Sequence, residues 1–322
     1  MNVIVVGCGV SGLSSGIRLL QRGFAVTIVA RDLPPHTTSN IAAAIWYPYK
    51  AYPIERVLRW GRRTLESLYD LMAEPVAGVS AVTLIELLER PSPDPWWREA
   101  VRRFRQARPE ELPPGYGGGY CVEVPLIETP AYMTYLLQQF QALGGRVEQR
   151  IITSLAELQA ENRLIVNCSG IGARQLARDE TIYPIRGQIV CVSAPAAKRH
   201  FIDEVGPGAL AYIIPRRHDC ILGGTAEEND WNLDSDPEKA VEILRKCRAI
   251  EPALAGAEIL EHLVGLRPGR HEVRLELEPV AKRCAIIHNY GHGGAGFTLS
   301  WGCAEEVAAL AIGFSRRVLT IP

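Results

Sequence analysis

The stretch NVIVVGCGVSGLSSGIRLLQRGFAVTIVARD, residues 2–32, constrains the fold more than any other part of this chain. Val3, Ile4, Val5 and Val6 form a β-branched run that predicts a strand buried on both faces. Gly7, Gly9 and Gly12 follow in G-x-G-x-x-G spacing. Leu13, Ile17 and Leu20 then recur on one helical face, and AVTIVA predicts a second strand before Arg31 and Asp32. Each part has a mechanical reason. Gly7 permits a tight turn, Gly9 lets a pyrophosphate approach the backbone, and Gly12 lets helix and strand pack closely. Val10 and Ser11 begin the helix, where free N–H groups and the positive dipole end favour phosphate oxygens. Strand, glycines, helix, strand and an acid 20 positions after Gly12 together make a dinucleotide-binding fingerprint. Ala30 stands where an acid commonly ends the second strand. Asp32 lies two residues later and suits either a ribose or a turn before Pro34-Pro35. With Arg31 beside it, the fingerprint alone leaves NADP, NAD and FAD open.

A second glycine cluster, HNYGHGGAG at 288–296, follows the apolar AII and precedes the helical pattern FTLSWGCAEEVAALAI. His288 and His292 are four apart, a metal-binding spacing on a helix. The glycines forbid a helix there and no third ligand stands nearby, so no metal is expected. His292 is read as packing or hydrogen-bonding beside a cofactor, with a covalent flavin link as the lesser alternative. The segment NRLIVNCSGIGARQLA (162–177) repeats the strand–glycine–helix pattern, with Ser169 and Gly170 at its turn. Thr37, Thr38 and Ser39 offer hydroxyls for further pyrophosphate or ribose contacts. A helix is predicted over 129–145, with Thr129 as its N-cap. Nucleotide-binding segments thus lie at both ends and in the middle, with strand-rich stretches between them.

That arrangement predicts an α/β fold. A Rossmann-like FAD-binding domain (1–50, 128–184 and 262–322) is interleaved with an antiparallel-sheet substrate domain (51–127 and 185–261). A cofactor as long as FAD needs several bare-backbone approaches. Gly291, Gly293, Gly294 and Gly296, with Ala295 and Thr298, are read as running against the flavin.

Composition narrows the partners. With 35 basic and 36 acidic residues and no basic stripe, nucleic acid is not expected. No apolar run is long enough to span a membrane and no secretory signal opens the chain, so a cytoplasmic protein is expected. The eight cysteines show no zinc or disulfide spacing and are read as reduced, buried thiols.

The motifs VVGCGVSGLSS, NIAAAIWYPY, IVNCSGIGA, YPIRGQIV, AYIIP, GGT…DWN, GLRPGR…VRLE and HNYGHGGAGFTLSWG occur in the order seen in D-amino-acid and D-aspartate oxidases. The chain resembles that family from residue 2 to about 310. The resemblance implies noncovalent FAD, and oxidation of D-amino acids by hydride transfer to flavin N5, with O₂ giving H₂O₂. It implies no catalytic acid or base, only orientation. Arg267 is then expected to pair with the substrate carboxylate and Tyr212 to donate to it. The Gly294 carbonyl is expected to accept from the amine, and Ile45, Tyr47 and Ile214 to line the side-chain pocket. Two departures bear on specificity. Some members carry a lid tyrosine where this chain has Gly208. Acid-specific members carry arginines where it has Ala226 and Asp203-Glu204, which argues for neutral side chains. Arg216 shares strand parity with Tyr212 and Ile214, which leaves D-aspartate oxidase as a rival beside glycine oxidase. An NAD(P)-dependent dehydrogenase and a noncatalytic dinucleotide-binding protein are the rivals of other classes. The oligomeric state stays open, a homo-oligomer included.

Overall fold

The computed structural model describes residues 1–159, 164–193, 198–204, 206 and 210–319, so Gly208 lies outside the described residues. The chain opens with β1 (Asn2–Val6), α1 (Val10–Gln21), β2 (Ala25–Ala30), α2 (Thr38–Ile41) and α3 (Ile54–Leu71). Next come β3 (Val79–Leu88), β4 (Phe104–Gln106), β5 (Gly118–Ile127), α4 (Thr129–Ala142), β6 (Arg146–Gln149), α5 (Ala156–Gln159), β7 (Leu164–Asn167) and α6 (Ala173–Leu176). Then follow β8 (Tyr183–Ser193), β9 (His200–Asp203), β10 (Ala211–Pro215), β11 (Asp219–Gly223), β12 (Glu227–Glu228) and α7 (Pro237–Ile250). The last elements are β13 (Ile259–Gly269), β14 (Arg274–Ala281), β15 (Cys284–Tyr290) and α8 (Gly296–Leu319).

Two sheets organise these elements. The first has the order β14-β15-β7-β1-β2-β6. Five of its strands are parallel and β14 closes one edge as an antiparallel hairpin with β15. Parallel strands need cover on both faces, and they have it. On one face, Val3 and Val5 join Leu13 and Ile17 of α1, Leu136 and Phe140 of α4, and Val307 and Ala311 of α8 in one apolar cluster. On the other, Val6, Ile165 and Ile286 pack on Leu155 and Leu158.

The second sheet runs β12-β8-β11-β10-β9-β3-β5-β4, with β13 on the free edge of β8. Val190, Val192, Ile213 and Leu222 bury one of its faces against Ile243, Leu244 and Cys247 of α7. The expected boundary at residue 262 falls inside β13, which stays in this sheet as far as Gly269 because it pairs with β8 along its whole length. Helix α3, from a segment assigned by sequence to the substrate domain, packs along α8; Val57 and Trp60 join Leu299 and Cys303 there.

One capping expectation is corrected. Glu128, not Thr129, occupies the N-cap of α4. The Thr129 hydroxyl instead lies 3.1 Å from the carbonyl oxygens of both Asn40 and Ala42, tying α4 to the loop after α2.

The crossing of α3 and α8 depends on Gly302. A Cβ there would lie 2.2 Å from the Trp60 carbonyl oxygen, and the Gly302 N–H donates to the Thr64 hydroxyl at 3.0 Å. Gly302→Ala is expected to cost about 3 kcal/mol, since the obstacle is backbone that cannot rotate away. Gly313→Ala, further along the same helix with nothing within 4 Å, is expected to gain about 0.5–1 kcal/mol. Thermal unfolding midpoints of the two variants, measured together, check the opposite signs.

Candidate active site

One cavity of about 500 Å³ runs along the carboxyl ends of the parallel strands and continues onto the second sheet. Residues 7–11 after β1, 31–32 after β2, 150–153 after β6 and 168–172 after β7 form its first half. Open α/β sheets present their ligands at that edge, because the loops and helix N-termini converge there.

Two glycines at this end leave no space for side chains. Gly7 has φ +105°, and a Cβ on it would sit 2.5 Å from the Cys168 carbonyl oxygen. Gly12 lies outside the lining; its Cβ would sit 1.9 Å from the Gly7 carbonyl oxygen, so its part is close packing. Gly9 holds the N-cap of α1 with no side-chain cap, and the Val10 N–H donates to Ser39 Oγ at 3.0 Å. Ser11, Thr37, Thr38, Ser39, Ser169 and Gly170 all face the cavity, as do Arg31 and Asp32, which pair with each other at 2.7 Å. Residues 150–153 were not expected here. They arrive because β6 pairs with β2 and the Arg150 N–H donates to the Ala30 carbonyl at 2.9 Å.

The second half begins at the other glycine cluster. Gly293, with φ +55°, would put a Cβ 2.3 Å from the Lys50 carbonyl oxygen, and a Cβ on Gly294 would lie 2.4 Å from Tyr49 Cδ1. Gly293, Gly294, Gly296 and Thr298 line the cavity, whereas Gly291 and Ala295 do not. Gly291 (φ +80°) turns the chain beside Arg270, and Ala295 is buried with Trp60 and Leu299. Thr298 is bonded twice to one residue: its hydroxyl donates to the Tyr47 carbonyl at 2.8 Å and accepts from the Tyr47 N–H at 3.0 Å. The N-termini of α1 and α8 therefore open on the same void. FAD fits this cradle: bare backbone and one helix terminus suit its pyrophosphate, and the second terminus suits the polar edge of its ring.

The two histidines face different partners. His288 Nε2 lies 3.0 Å from Glu278 Oε2, on the far side of the strand. His292 lines the cavity with Nε2 3.1 Å from Asn289 Oδ1, and burial pushes its pKa down to about 4, so the ring is neutral.

On the second sheet, Arg267, Tyr212, Ile214 and Ile45 share this void with Tyr47 and Tyr49. Arg267 lies flat on Gly187, where a Cβ would meet its Nη1 at 2.2 Å, and Nη1 donates to the Thr225 carbonyl at 3.0 Å. Thr225 is held in turn, its hydroxyl accepting from the Gln188 N–H at 3.0 Å. The Tyr212 ring rests on Gly223 and Gly224, where any Cβ would strike it. Burial raises the Tyr212 pKa, and the bonded Arg267 only partly opposes that, so the phenol keeps its proton.

Arg216 is corrected. Strand β10 ends at Pro215, so parity no longer governs Arg216. Its guanidinium forms a fork with Asp219 at 2.6 and 2.7 Å, outside the cavity lining. Tyr49, Glu204 and Gly187 line the site without having been singled out as lining. Tyr49 was visible only within an aromatic run, and Glu204 only as a position lacking arginine.

A family model described as FAD dependent oxidoreductase matches residues 2–310. A D-amino-acid oxidase of Rubrobacter xylanophilus is 56% identical over 309 residues, covering 96% of this chain and 95% of the relative. A human D-aspartate oxidase is 39% identical and covers 96% of this chain and 94% of its own length. Among solved structures, glycine oxidase from Geobacillus kaustophilus superposes with a TM-score of 0.80 at 18% identity, covering 97% of this chain and 94% of that one, a likeness of fold. With a family match over nearly its whole length and a cavity whose glycines and helix termini suit the cofactor, this chain belongs to the FAD dependent oxidoreductase family.

Proposed function

We propose that the chain is a D-amino-acid oxidase: it converts D-amino acids and O₂ into 2-oxo acids, ammonia and H₂O₂ through noncovalently bound FAD. The observation that carries this reading is Arg267, held on Gly187 with Tyr212 beside it, in the same void as Gly294 and the N-terminus of α8. The names of the relatives at 56% and 39% identity support it. Bound FAD would supply the acceptor for a hydride from the substrate α-carbon and the route for its electrons to O₂.

The protein's part is orientation. The Arg267 guanidinium is planar and fits a carboxylate two-pronged, which a lysine ammonium does not. Tyr212 remains a donor and adds one hydrogen bond to the same carboxylate. The Gly294 carbonyl takes the substrate amine. With two substituents fixed and the α-hydrogen aimed at the flavin, only one direction remains for the side chain, so one enantiomer reacts. No protein group is asked to remove a proton, because an amine that enters neutral needs none taken from it.

A preference against acidic side chains follows from the charges present. Arg216 lies outside the lining and is neutralised by Asp219, and the arginines that line the cavity besides Arg267, Arg31 and Arg150, stand at the ends of β2 and β6. Among the described residues, the part of the cavity wall on the second sheet therefore offers a distal carboxylate no arginine beyond Arg267, which disfavours the D-aspartate oxidase reading. Among the described residues no helix is long and apolar enough to cross a membrane. A cytoplasmic setting is part of this reading, supported by eight cysteines that form no disulfide.

Three variants test the reading. Gly9→Val places a branched side chain where the pyrophosphate is assigned, and the purified variant should carry much less flavin per chain by visible absorbance. Full occupancy with unchanged affinity would move the phosphate site elsewhere. Arg267→Met should cost roughly 2–5 kcal/mol in kcat/KM for D-alanine while flavin is retained, because the carboxylate loses its counter-charge. Tyr212→Phe should cost about 1.5–3 kcal/mol, mostly in KM. Anaerobic flavin reduction at saturating D-alanine should stay near the wild-type rate in Tyr212→Phe. A loss there of more than about a hundredfold, or some 2.7 kcal/mol, would mean that the phenol moves a proton.

A further inference from the structure

The substrate end of the cavity carries a carboxylate as well as an arginine. Glu204, immediately after β9, lies in its wall. Its neighbour Asp203 is turned away and buried, 2.5 Å from the Tyr116 hydroxyl and 2.6 Å from the Gly206 N–H. Glu86 on β3 is the register partner of Ile202 on β9, and Glu86, Glu204 and the Tyr47 phenol act on one another electrostatically. Glu86 Oε2 is buried with no hydrogen-bond partner among the described residues. Tyr49, Arg267 and Glu204 line the same cavity, and the Tyr49 phenol feels both charges. Lys50 faces Glu204, yet its ammonium pairs with Glu228 at 3.2 Å and is partly in solvent. The remaining groups facing the pair, Tyr47, Tyr49 and Asp203, bring no further cation.

Resting on Arg267 as the anchor of the substrate carboxylate, we propose that Glu204, backed by Glu86, is a specificity-determining residue that selects D-amino acids whose side chains end in a cation over uncharged side chains of equal length. The sequence alone showed this position only as the absence of an arginine; in the cavity wall it is a charge of the opposite sign. A guanidinium or ammonium entering from the substrate supplies the half-buried Glu204 with a counter-charge that Lys50, drawn to Glu228 and solvent, supplies only in part.

The selection depends on pH in a definite direction. Burial holds both carboxyls near 7. Glu86 is pushed further by Glu204, and Glu204 by Asp203 against the pull of Lys50. Below that range the acids are protonated and attract a cation weakly. Above it they are ionised and attract it strongly.

D-Arginine and D-citrulline test this, since they share length and shape and differ by the charge. With the flavin-loaded enzyme, kcat/KM should favour D-arginine by about tenfold or more at about pH 8, and the ratio should fall severalfold by about pH 6. Glu204→Gln, shown by its flavin spectrum to be folded, should bring the ratio to about one and flatten its pH dependence, while Glu204→Asp keeps part of both. A wild-type ratio near one, or a Glu204→Gln variant that keeps the wild-type ratio, overturns the proposal. If no D-amino acid yields peroxide, the oxidase reading itself fails. Turnover of D-alanine without a preference for D-arginine sinks only the role of Glu204.

Discussion

The contact between Gly7 and the Cys168 carbonyl fixes the geometry on which the rest of the molecule depends. With only 2.5 Å available for a Cβ, no side chain fits, and β1 and β7 end side by side at one level. Gly12 repeats the constraint one helical turn later against Gly7 itself, which sets α1 directly on the strand. From these two approaches follow the exposed N-terminus of α1, the level edge of the parallel sheet and the cavity along it. Hydrophobic burial holds the layers together, but it is nondirectional. The absent side chains decide how closely the layers meet.

The second sheet positions its arginine by a different device. Residues of β8 alternate in direction. Gly187 faces the cavity and seats Arg267, while Arg186 and Gln188 face the other way and hold the segment around 225–236. Arg186 is only 1% exposed; it donates to Glu227 at 2.8 Å, the Asn232 carbonyl at 2.9 Å and the Asp234 carbonyl at 2.6 Å. A charge so deeply buried has to be paired and fully bonded. Its satisfaction fixes the same segment whose Thr225 carbonyl orients Arg267. The short motifs RGQ, GGT and DWN are thus parts of one support for a side chain distant in sequence.

Local spacing made much of the first sheet legible. The turn at Gly7 and Gly9, the strands on either side of α1 and the turn around Ser169 and Gly170 all announce themselves within a few residues, because steric demands act over that range. Nonlocal pairing does not announce itself. Nothing near Arg150 shows that β6 will lie beside β2 and bring residues 150–153 to the cavity. Arg216 misled because parity holds only while a strand continues, and β10 stops one residue earlier. Thr129 had the composition of a cap but a nearer demand from the Asn40 and Ala42 carbonyls. Arg267 and Tyr212 stood out only through resemblance, since an arginine and a tyrosine on strands carry no periodic signal of their own.

The paired hydrogen bonds between Thr298 and Tyr47 have a consequence for thermodynamics. They clamp the first turn of α8 to the segment that carries Tyr47 in the cavity wall. Free energies of binding obey reciprocity: if a bound flavin orders the wall that receives the substrate, a bound carboxylate must tighten the flavin by the same factor. The protein without its cofactor would then bind substrate more weakly by that factor.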